Sequence, residues 1–187
     1  MVEIRRLTQD ELDPLLEFMD GPAFAGQPQW AGCYCQFYLN TAAENEDAAA
    51  KTGLNRERAC DRVKSGVMQG YLAFETVDGV ERAIGWMAAN ASTNFVALPG
   101  AEPDLARILC FVVDQDFQGR GVATALLAHA LDDLPRHGFT RVEAAPLASG
   151  EFANWGYRGP LSMFLKAGFS QGPMIDDKHV LVSRDLV

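Results

Sequence analysis

Residues 108–127 read Ile108-Leu-Cys-Phe-Val-Val-Asp-Gln-Asp-Phe-Gln-Gly-Arg-Gly-Val-Ala-Thr-Ala-Leu-Leu127 and combine a strand pattern, a glycine turn and a helix pattern. The apolar run Ile108–Val113 predicts a strand that is buried on both faces. Apolar residues recur at helical spacing after Gly121. The first N–H groups of a helix lack intrahelical partners and lie at the positive end of its dipole, and glycines let a phosphate approach the backbone closely. The stretch therefore predicts an anion-binding site at the start of this helix.

Several kinds of glycine turn could stand between such a strand and helix. A P-loop requires Lys and then Ser or Thr after its last glycine, and Val122 and Ala123 occupy those positions, which excludes it. A dinucleotide fingerprint is a weak alternative, because Asp114–Gln118 separates the strand from the glycines and Thr124 replaces the third glycine. Glu143 lies near the spacing of a ribose-binding carboxylate, so this alternative stays open. A further alternative is a glycine turn that starts the helix and binds no ligand.

Two short motifs carry a family resemblance. Gln-x-x-Gly-x-Ala at residues 118–123, after a strand that ends in Val-Asp, resembles the acyl-CoA pyrophosphate loop of the GNAT N-acetyltransferase superfamily. Residues 163–169, Met-Phe-Leu-Lys-Ala-Gly-Phe, are similar to the Leu-Tyr-x-Lys-x-Gly-Phe segment of that family. The N-terminal third of the chain matches no motif of the family.

The predicted order of elements indicates an α+β fold with a single mixed β-sheet flanked by helices, which is also the order in the GNAT fold. We expect one domain over residues 1–187, with an acyl-CoA-binding core at about 104–170. By resemblance, the N-terminal part, about 1–70, is expected to shape the acceptor site. The strand at 139–145 follows a strand–helix unit and should run parallel to the central strand. Asp78-Gly79 predicts a hairpin between its neighbouring strands.

The N-terminal third is harder to assign. A capping box at Thr8–Glu11 predicts a helix to about Met19, and Asn55 is expected to cap another helix over residues 56–67. Residues 41–51 are polar and rich in alanine, and we expect a mobile connection there. An aromatic and cysteine stripe could form one face of a helix that packs on the sheet or walls an acceptor pocket, although its alternation also suits a strand; it comprises Trp30, Cys33, Tyr34, Phe37 and Tyr38.

Composition limits the classes of partner. The 187 residues include 16 Lys and Arg against 25 Asp and Glu, a net charge of −9. Such a field repels phosphate backbones and mildly attracts amines, so we expect no nucleic acid partner. No signal peptide or membrane-length apolar run is recognisable, which predicts a cytoplasmic protein without a membrane partner. The four cysteines are expected to be free thiols, with no metal site, and a homodimer is possible.

The resemblance implies transfer of an acetyl group from acetyl-CoA, as co-substrate, to a primary amine of a small molecule or peptide within a ternary complex. It implies that the backbone of Phe111, Val112 and Val113 meets the pantetheine and thioester. The pyrophosphate would be surrounded by Gln118, Gly119, Arg120, Gly121, Val122, Ala123 and Thr124.

The expected catalytic residues are Glu143 and Tyr157. Glu143 matches a position where some family members carry a proposed general base, although a salt-bridged surface role is an equal alternative, and Glu151 or Asp114 could act through water. Phe164 stands where the family often has the tyrosine that protonates the leaving thiolate, and phenylalanine cannot donate a proton. Tyr157 is the nearest substitute, with Ser162 next. The alternative function is a non-catalytic acyl-CoA-binding relative, motivated by Phe164.

Overall fold

The computed structural model describes residues 2–148 and 156–186. Its strands are β1 (Glu3–Arg6), β2 (Gly70–Val77), β3 (Val80–Ala91), β4 (Leu105–Val113), β5 (Arg141–Ala144), β6 (Ser170–Met174) and β7 (Val180–Asp185). Its α-helices are α1 (Leu12–Asp20), α2 (Ala42–Ala50), α3 (Leu54–Lys64), α4 (Val122–Asp133) and α5 (Leu161–Lys166). No helix within these two ranges combines the length and the apolar content that crossing a bilayer would require.

All seven strands of the described chain form one sheet in the order β1-β2-β3-β4-β5-β7-β6. The β4–β5 pair is parallel and its neighbours are antiparallel, which confirms the predicted α+β fold with one mixed sheet. Asp78 and Gly79, with φ of 52° and 80°, form the predicted β2–β3 hairpin turn.

Helices cover both faces of the sheet because alternate strand residues point to opposite sides. On one face Ile84 and Met87 of β3 share a core with Leu126 and Leu127 of α4. On the other face Trp86 packs in a second core with residues of α1 and α3. Full burial of each large apolar side chain stabilises the fold by roughly 1.5–3 kcal/mol. The central strand β4 contributes side chains to both cores and lies between them.

The parallel pair parts near its carboxyl ends. Pairing runs from Leu105 opposite Arg141 to Ile108 opposite Ala144, and β4 then continues to Val113 beyond its register with β5. The β3–β4 register also shifts between Ala88 and Ala89, leaving Leu109 as an extra residue in β4. Such a bulge bends a strand and redirects its side chains. The backbone of β4 after Leu109 therefore borders an opening in the sheet.

The N-terminal third differs from the sequence-based expectations. The expected mobile connection is wrong: α2 occupies it, started by a capping box between Thr41 and Glu44. Helix α3 begins at Leu54 after Gly53, ahead of the expected cap. The aromatic stripe is neither an α-helix nor a strand: Trp30 ends a short 3₁₀ helix, Pro28–Trp30, and residues 31–40 form consecutive turns with positive φ at Tyr34 and Cys35. Periodicity could not reveal this, since these turns do not repeat.

Candidate active site

A cavity of about 1180 Å³ lies where β4 and β5 part. Four parts of the described chain line it: the turns before α2, the end of β4, the glycine loop into α4, and residues 156–166, which include α5. His179, just before β7, completes the lining. Residues that are distant in sequence therefore meet at the carboxyl end of the central strand.

The glycine loop presents unpaired backbone donors to this cavity. Gly119 and Gly121 have φ of 74° and 83°, and an ideal Cβ at either position would meet no atom within 4 Å. The first hydrogen bond of α4 runs from the N–H of Ala125 to the carbonyl of Gly121 at 2.9 Å. The N–H groups of residues 122–124 thus remain without an intrahelical acceptor at the positive end of the helix. This open, glycine-lined cradle fits a phosphate group.

The predicted cofactor-binding residues are brought together with one exception. Nine of the ten line the cavity, namely Phe111, Val112, Val113, Gln118, Gly119, Gly121, Val122, Ala123 and Thr124. The side-chain amide of Gln118 donates to the carbonyl of Val113 at 3.2 Å, which ties the loop to the end of β4. Arg120 is exposed, does not line the cavity, and stacks over the ring of Phe117 at 4.9 Å.

Glu143 does not reach the cavity. Its carboxylate lies 3.6 Å from Arg107 and 3.4 Å from Arg141. The residue sits opposite Arg107 in the β4–β5 register, before the strands part, so its side chain belongs to a partly buried ion-pair cluster. The expected base at Glu143 is therefore corrected to the salt-bridged alternative. Asp114, one of the two residues expected to be able to act through water, is buried, caps the turn after β4 and does not line the cavity. The other, Glu151, lies outside the described residues.

Phe164 is a core residue. It is 0% exposed and packs edge-on against Phe111 and Phe169, with ring centroids 6.1 and 5.2 Å away. It does not line the cavity, so the expectation that it borders the thiolate pocket is wrong here. Its aromatic neighbours explain why an apolar ring suits this position.

Tyr157 does line the cavity, on a short 3₁₀ helix, Gly156–Arg158. Its hydroxyl lies 3.5 Å from that of Tyr38, and its ring lies 5.4 Å from Trp30. Burial and the Tyr157 hydroxyl raise the pKa of Tyr38, so Tyr38 stays protonated at neutral pH. Tyr157 therefore lies at the cavity, and its role as proton donor stays a prediction.

The aromatic and cysteine stripe forms one wall of the cavity. Trp30, Phe37 and Tyr38 line it together with Cys33 and Cys35. Burial raises the pKa of Cys33 to about 11, and a hydrogen bond with Cys110 and burial together raise that of Cys35. Both thiols are consequently protonated at neutral pH and make poor nucleophiles or bases.

A carboxylate–imidazole pair at the cavity was missed by sequence reasoning. His179 is 7% exposed, and its Nδ1 lies 2.8 Å from the Asp176 carboxylate. Hydrogen bonds from the backbone N–H of Lys178, the imidazole and the N–H of His179 lower the pKa of Asp176 to about 2. An ionised Asp176 makes Nδ1 the donor, and the neutral form of the ring then carries its lone pair on Nε2. Buried Nε2 has no hydrogen-bond partner in the described chain. Strand periodicity gave no signal for His179, because it directly precedes Val180 and is out of phase with the buried Val180 and Val182 of β7.

Comparison with known proteins adds an independent result. The model of the acetyltransferase (GNAT) family matches residues 51–157, which is more than half of the chain. The chain belongs to this family. A search of curated protein sequences finds no match. The match includes β4, the glycine loop and α4, so the family model covers the strand–loop–helix motif of residues 108–127.

Solved GNAT structures resemble the whole chain. The GNAT domain of S. lividans PAT is 22% identical, covering 98% of this chain and 90% of that one, with a TM-score of 0.57. PaiA N-acetyltransferase from Thermoplasma acidophilum, solved with coenzyme A, is 15% identical, covers 99% of each chain and has a TM-score of 0.58. The Escherichia coli ribosomal-protein-S18-alanine N-acetyltransferase is 16% identical, over 100% and 94%, with a TM-score of 0.55. At such identities the likeness supports the fold alone.

Proposed function

We propose that this GNAT chain transfers an acetyl group from acetyl-CoA to the primary amine of a small molecule or peptide by direct attack in a ternary complex. The observation that carries the proposal is the continuity of one cavity. The free backbone donors at the start of α4 and the aromatic wall of the N-terminal segment open into the same space. Two substrates can thus approach the end of β4 from opposite sides.

The chain's own groups divide the binding work. The N–H groups at the start of α4, with Gly119 and Gly121, would hold the pyrophosphate of CoA. The β4 backbone at residues 111–113 borders the opening left by β5 and would hold the pantetheine and the thioester carbonyl. Acetyl-CoA supplies the activated acetyl group. Held between β4 and the aromatic wall, the two reactants lose the entropy that otherwise opposes a bimolecular step.

We propose His179 as the general base in place of Glu143. Asp176 fixes its Nδ1 as the donor, so Nε2 can take up a proton from the acceptor ammonium, directly or through one bound water, and the resulting neutral amine attacks the thioester carbonyl. Tyr157 is the proposed donor to the leaving thiolate, because its hydroxyl lies in the cavity beside that of Tyr38. Neither role requires a hydroxyl at Phe164.

Two measurements test the function. Acetyl-CoA should raise the melting temperature, because a ligand that binds only the folded state stabilises it. Thiol release over a broad amine panel should then identify turnover. Stabilisation without release from any amine would instead support the non-catalytic acyl-CoA-binding alternative. Stabilisation by NAD or NADP but not by CoA would contradict both.

A further inference from the structure

Arg158 is a cation in the cavity that has no acidic partner among residues 2–148 and 156–186. The residue is half-buried and lines the cavity beside Tyr157. Its Nη2 donates to the hydroxyl of Tyr38, and Nη1 lies 3.5 Å from the carbonyl of Ala145. Its Nε is buried and makes no hydrogen bond within the described chain. The guanidinium carbon sits 5.5 and 5.8 Å from the ring centroids of Tyr38 and Tyr157, so aromatic faces hold it in place.

Most of the other partly buried arginines in the described residues pair with a carboxylate, whereas Arg184 donates to the carbonyl of Ala167. Arg6 lies 3.2 Å from Asp133, Arg62 lies 3.0 Å from Glu44, and Arg107 lies 3.6 Å from Glu143. Removing a charge from water is costly unless an opposite charge and hydrogen bonds compensate it. In a chain with a net charge of −9, carboxylates are abundant, yet none in residues 2–148 and 156–186 pairs with Arg158. Since no carboxylate of the described residues pairs with this guanidinium, we take it as a candidate site for an anion carried by a ligand.

The charge of the cavity is opposite to that of the protein. Its charged lining side chains in the described chain are Arg158 and Lys166, with the ionisable His179, and neither Asp nor Glu is among them. The fork of an arginine matches a carboxylate in geometry. Arg158 donates a hydrogen bond to Tyr38, which belongs to the aromatic wall where we expect the amine substrate to bind. The cradle for phosphate lies elsewhere, at the start of α4.

We propose that the acceptor is an amine that also carries a carboxylate, bound by Arg158. Its apolar part would pack against Trp30 and Tyr157, whose rings are 5.4 Å apart. This inference rests on the proposed acetyltransferase function and specifies its substrate class.

Binding without turnover provides the first test. The probes are 3-phenylpropionate and 3-phenylpropanamide, which differ at the carboxylate and lack an amine, added to the protein with and without CoA. A charge-assisted hydrogen bond should make the carboxylate bind at least about tenfold more tightly than the amide. Arg158→Gln should bring the ratio near one, and Arg158→Lys should give an intermediate ratio because it keeps the charge but loses the fork.

Arg136→Gln is the matched control, since Arg136 is exposed and away from the cavity, and it should keep the full ratio. Equal or tighter binding of the amide to the unaltered protein would overturn the proposal, as would a carboxylate preference that survives Arg158→Gln. The unaltered protein alone can therefore refute the proposal, even if a variant fails to fold.

Turnover provides the second test. Thiol release is compared for phenylalanine with phenylalaninamide and for 4-(aminomethyl)benzoate with its carboxamide, which place the carboxylate at two distances from the amine. At least one carboxylate member should have a kcat/KM about tenfold above its amide, lost in Arg158→Gln without a change in the KM for acetyl-CoA. Release only from amines without a carboxylate would refute this inference and leave the acetyltransferase function standing. Failure of acetyl-CoA to bind would refute that function, whereas the probe ratio would still measure the anion site.

Discussion

Gly121→Ala separates a ligand-binding role of the glycine loop from a merely structural one. Gly121 has φ of 83°, in the left-handed region, and an added Cβ would meet no atom of the protein within 4 Å. The left-handed conformation costs an L-residue roughly 1–2 kcal/mol. With about 2–4 °C per kcal/mol for a domain of this size, the variant should melt roughly 2–8 °C lower. The same Cβ projects into the space proposed for phosphate, so acetyl-CoA should bind at least about tenfold more weakly.

Gly138→Ala supplies the control from the other end of the same helical segment. Gly138 has φ of 87° and also lacks any atom within 4 Å of an added Cβ, but it does not line the cavity. It should lose a similar amount of stability and keep its affinity for acetyl-CoA. The two variants thus share the conformational penalty and should differ only in their affinity for acetyl-CoA.

Thermal melts with and without acetyl-CoA measure both effects. At a concentration of one hundred times Kd the ligand should add about 2.7 kcal/mol of stability. A tenfold rise in Kd would remove about half of that gain. If Gly121→Ala and Gly138→Ala show equal ligand-induced shifts, the loop only starts a helix and the proposed phosphate site is wrong.

Four further predictions concern side chains at or near the cavity. His179→Asn should lower kcat by about 10²- to 10⁴-fold with little change in acetyl-CoA affinity, and an unchanged kcat would exclude it as the base. Tyr157→Phe should likewise lower kcat rather than acetyl-CoA affinity, and an unaltered rate would leave Ser162 or water as donor. Because the folded-state pKa of Asp176 is depressed to about 2, its stabilising contribution is present above the unfolded pKa of about 4 and is lost as pH falls toward 2. The stability difference between the unaltered protein and Asp176→Asn, from denaturant melts, should shrink over that window, and a constant difference would contradict the pairing. Phe164→Tyr should lower stability by about 1–3 kcal/mol by burying an unpaired hydroxyl, without raising the rate, and a gain in rate would return this position to the thiolate pocket.

The central part of the fold was predictable because its information is local. The apolar run before Val113 and the helical spacing after Gly121 specify a strand and a helix within one short stretch. Backbone donors at a helix start need no particular side chain, so the glycine loop could be located without knowledge of tertiary structure. The parallel pairing of β5 followed from the strand–helix–strand order alone.

The side chains of the site could not be predicted in the same way. Whether Glu143 meets Arg107 or the cavity depends on where β4 and β5 part, and that point is set by register and by the bulge at Leu109. If the strands parted two pairs earlier, Glu143 would be free of its partner strand. Tyr38 and Arg158 meet across 120 residues of sequence, and the turns that place Tyr38 have no repeating pattern.

The whole-chain charge gave the least reliable guide to the site. The net charge of −9 suggested attraction of simple amines. The surplus carboxylates lie outside the cavity, however, and the described side chains that line the cavity are neutral or basic. Local potential in a cleft follows its nearest groups, which low-dielectric walls make dominant over distant, screened ones. An acceptor molecule thus meets the negative field of the protein exterior first and the basic cavity second. The exterior field disfavours a free anion, whereas an acceptor that carries both an ammonium and a carboxylate has no net charge to repel and can still pair with Arg158 once inside.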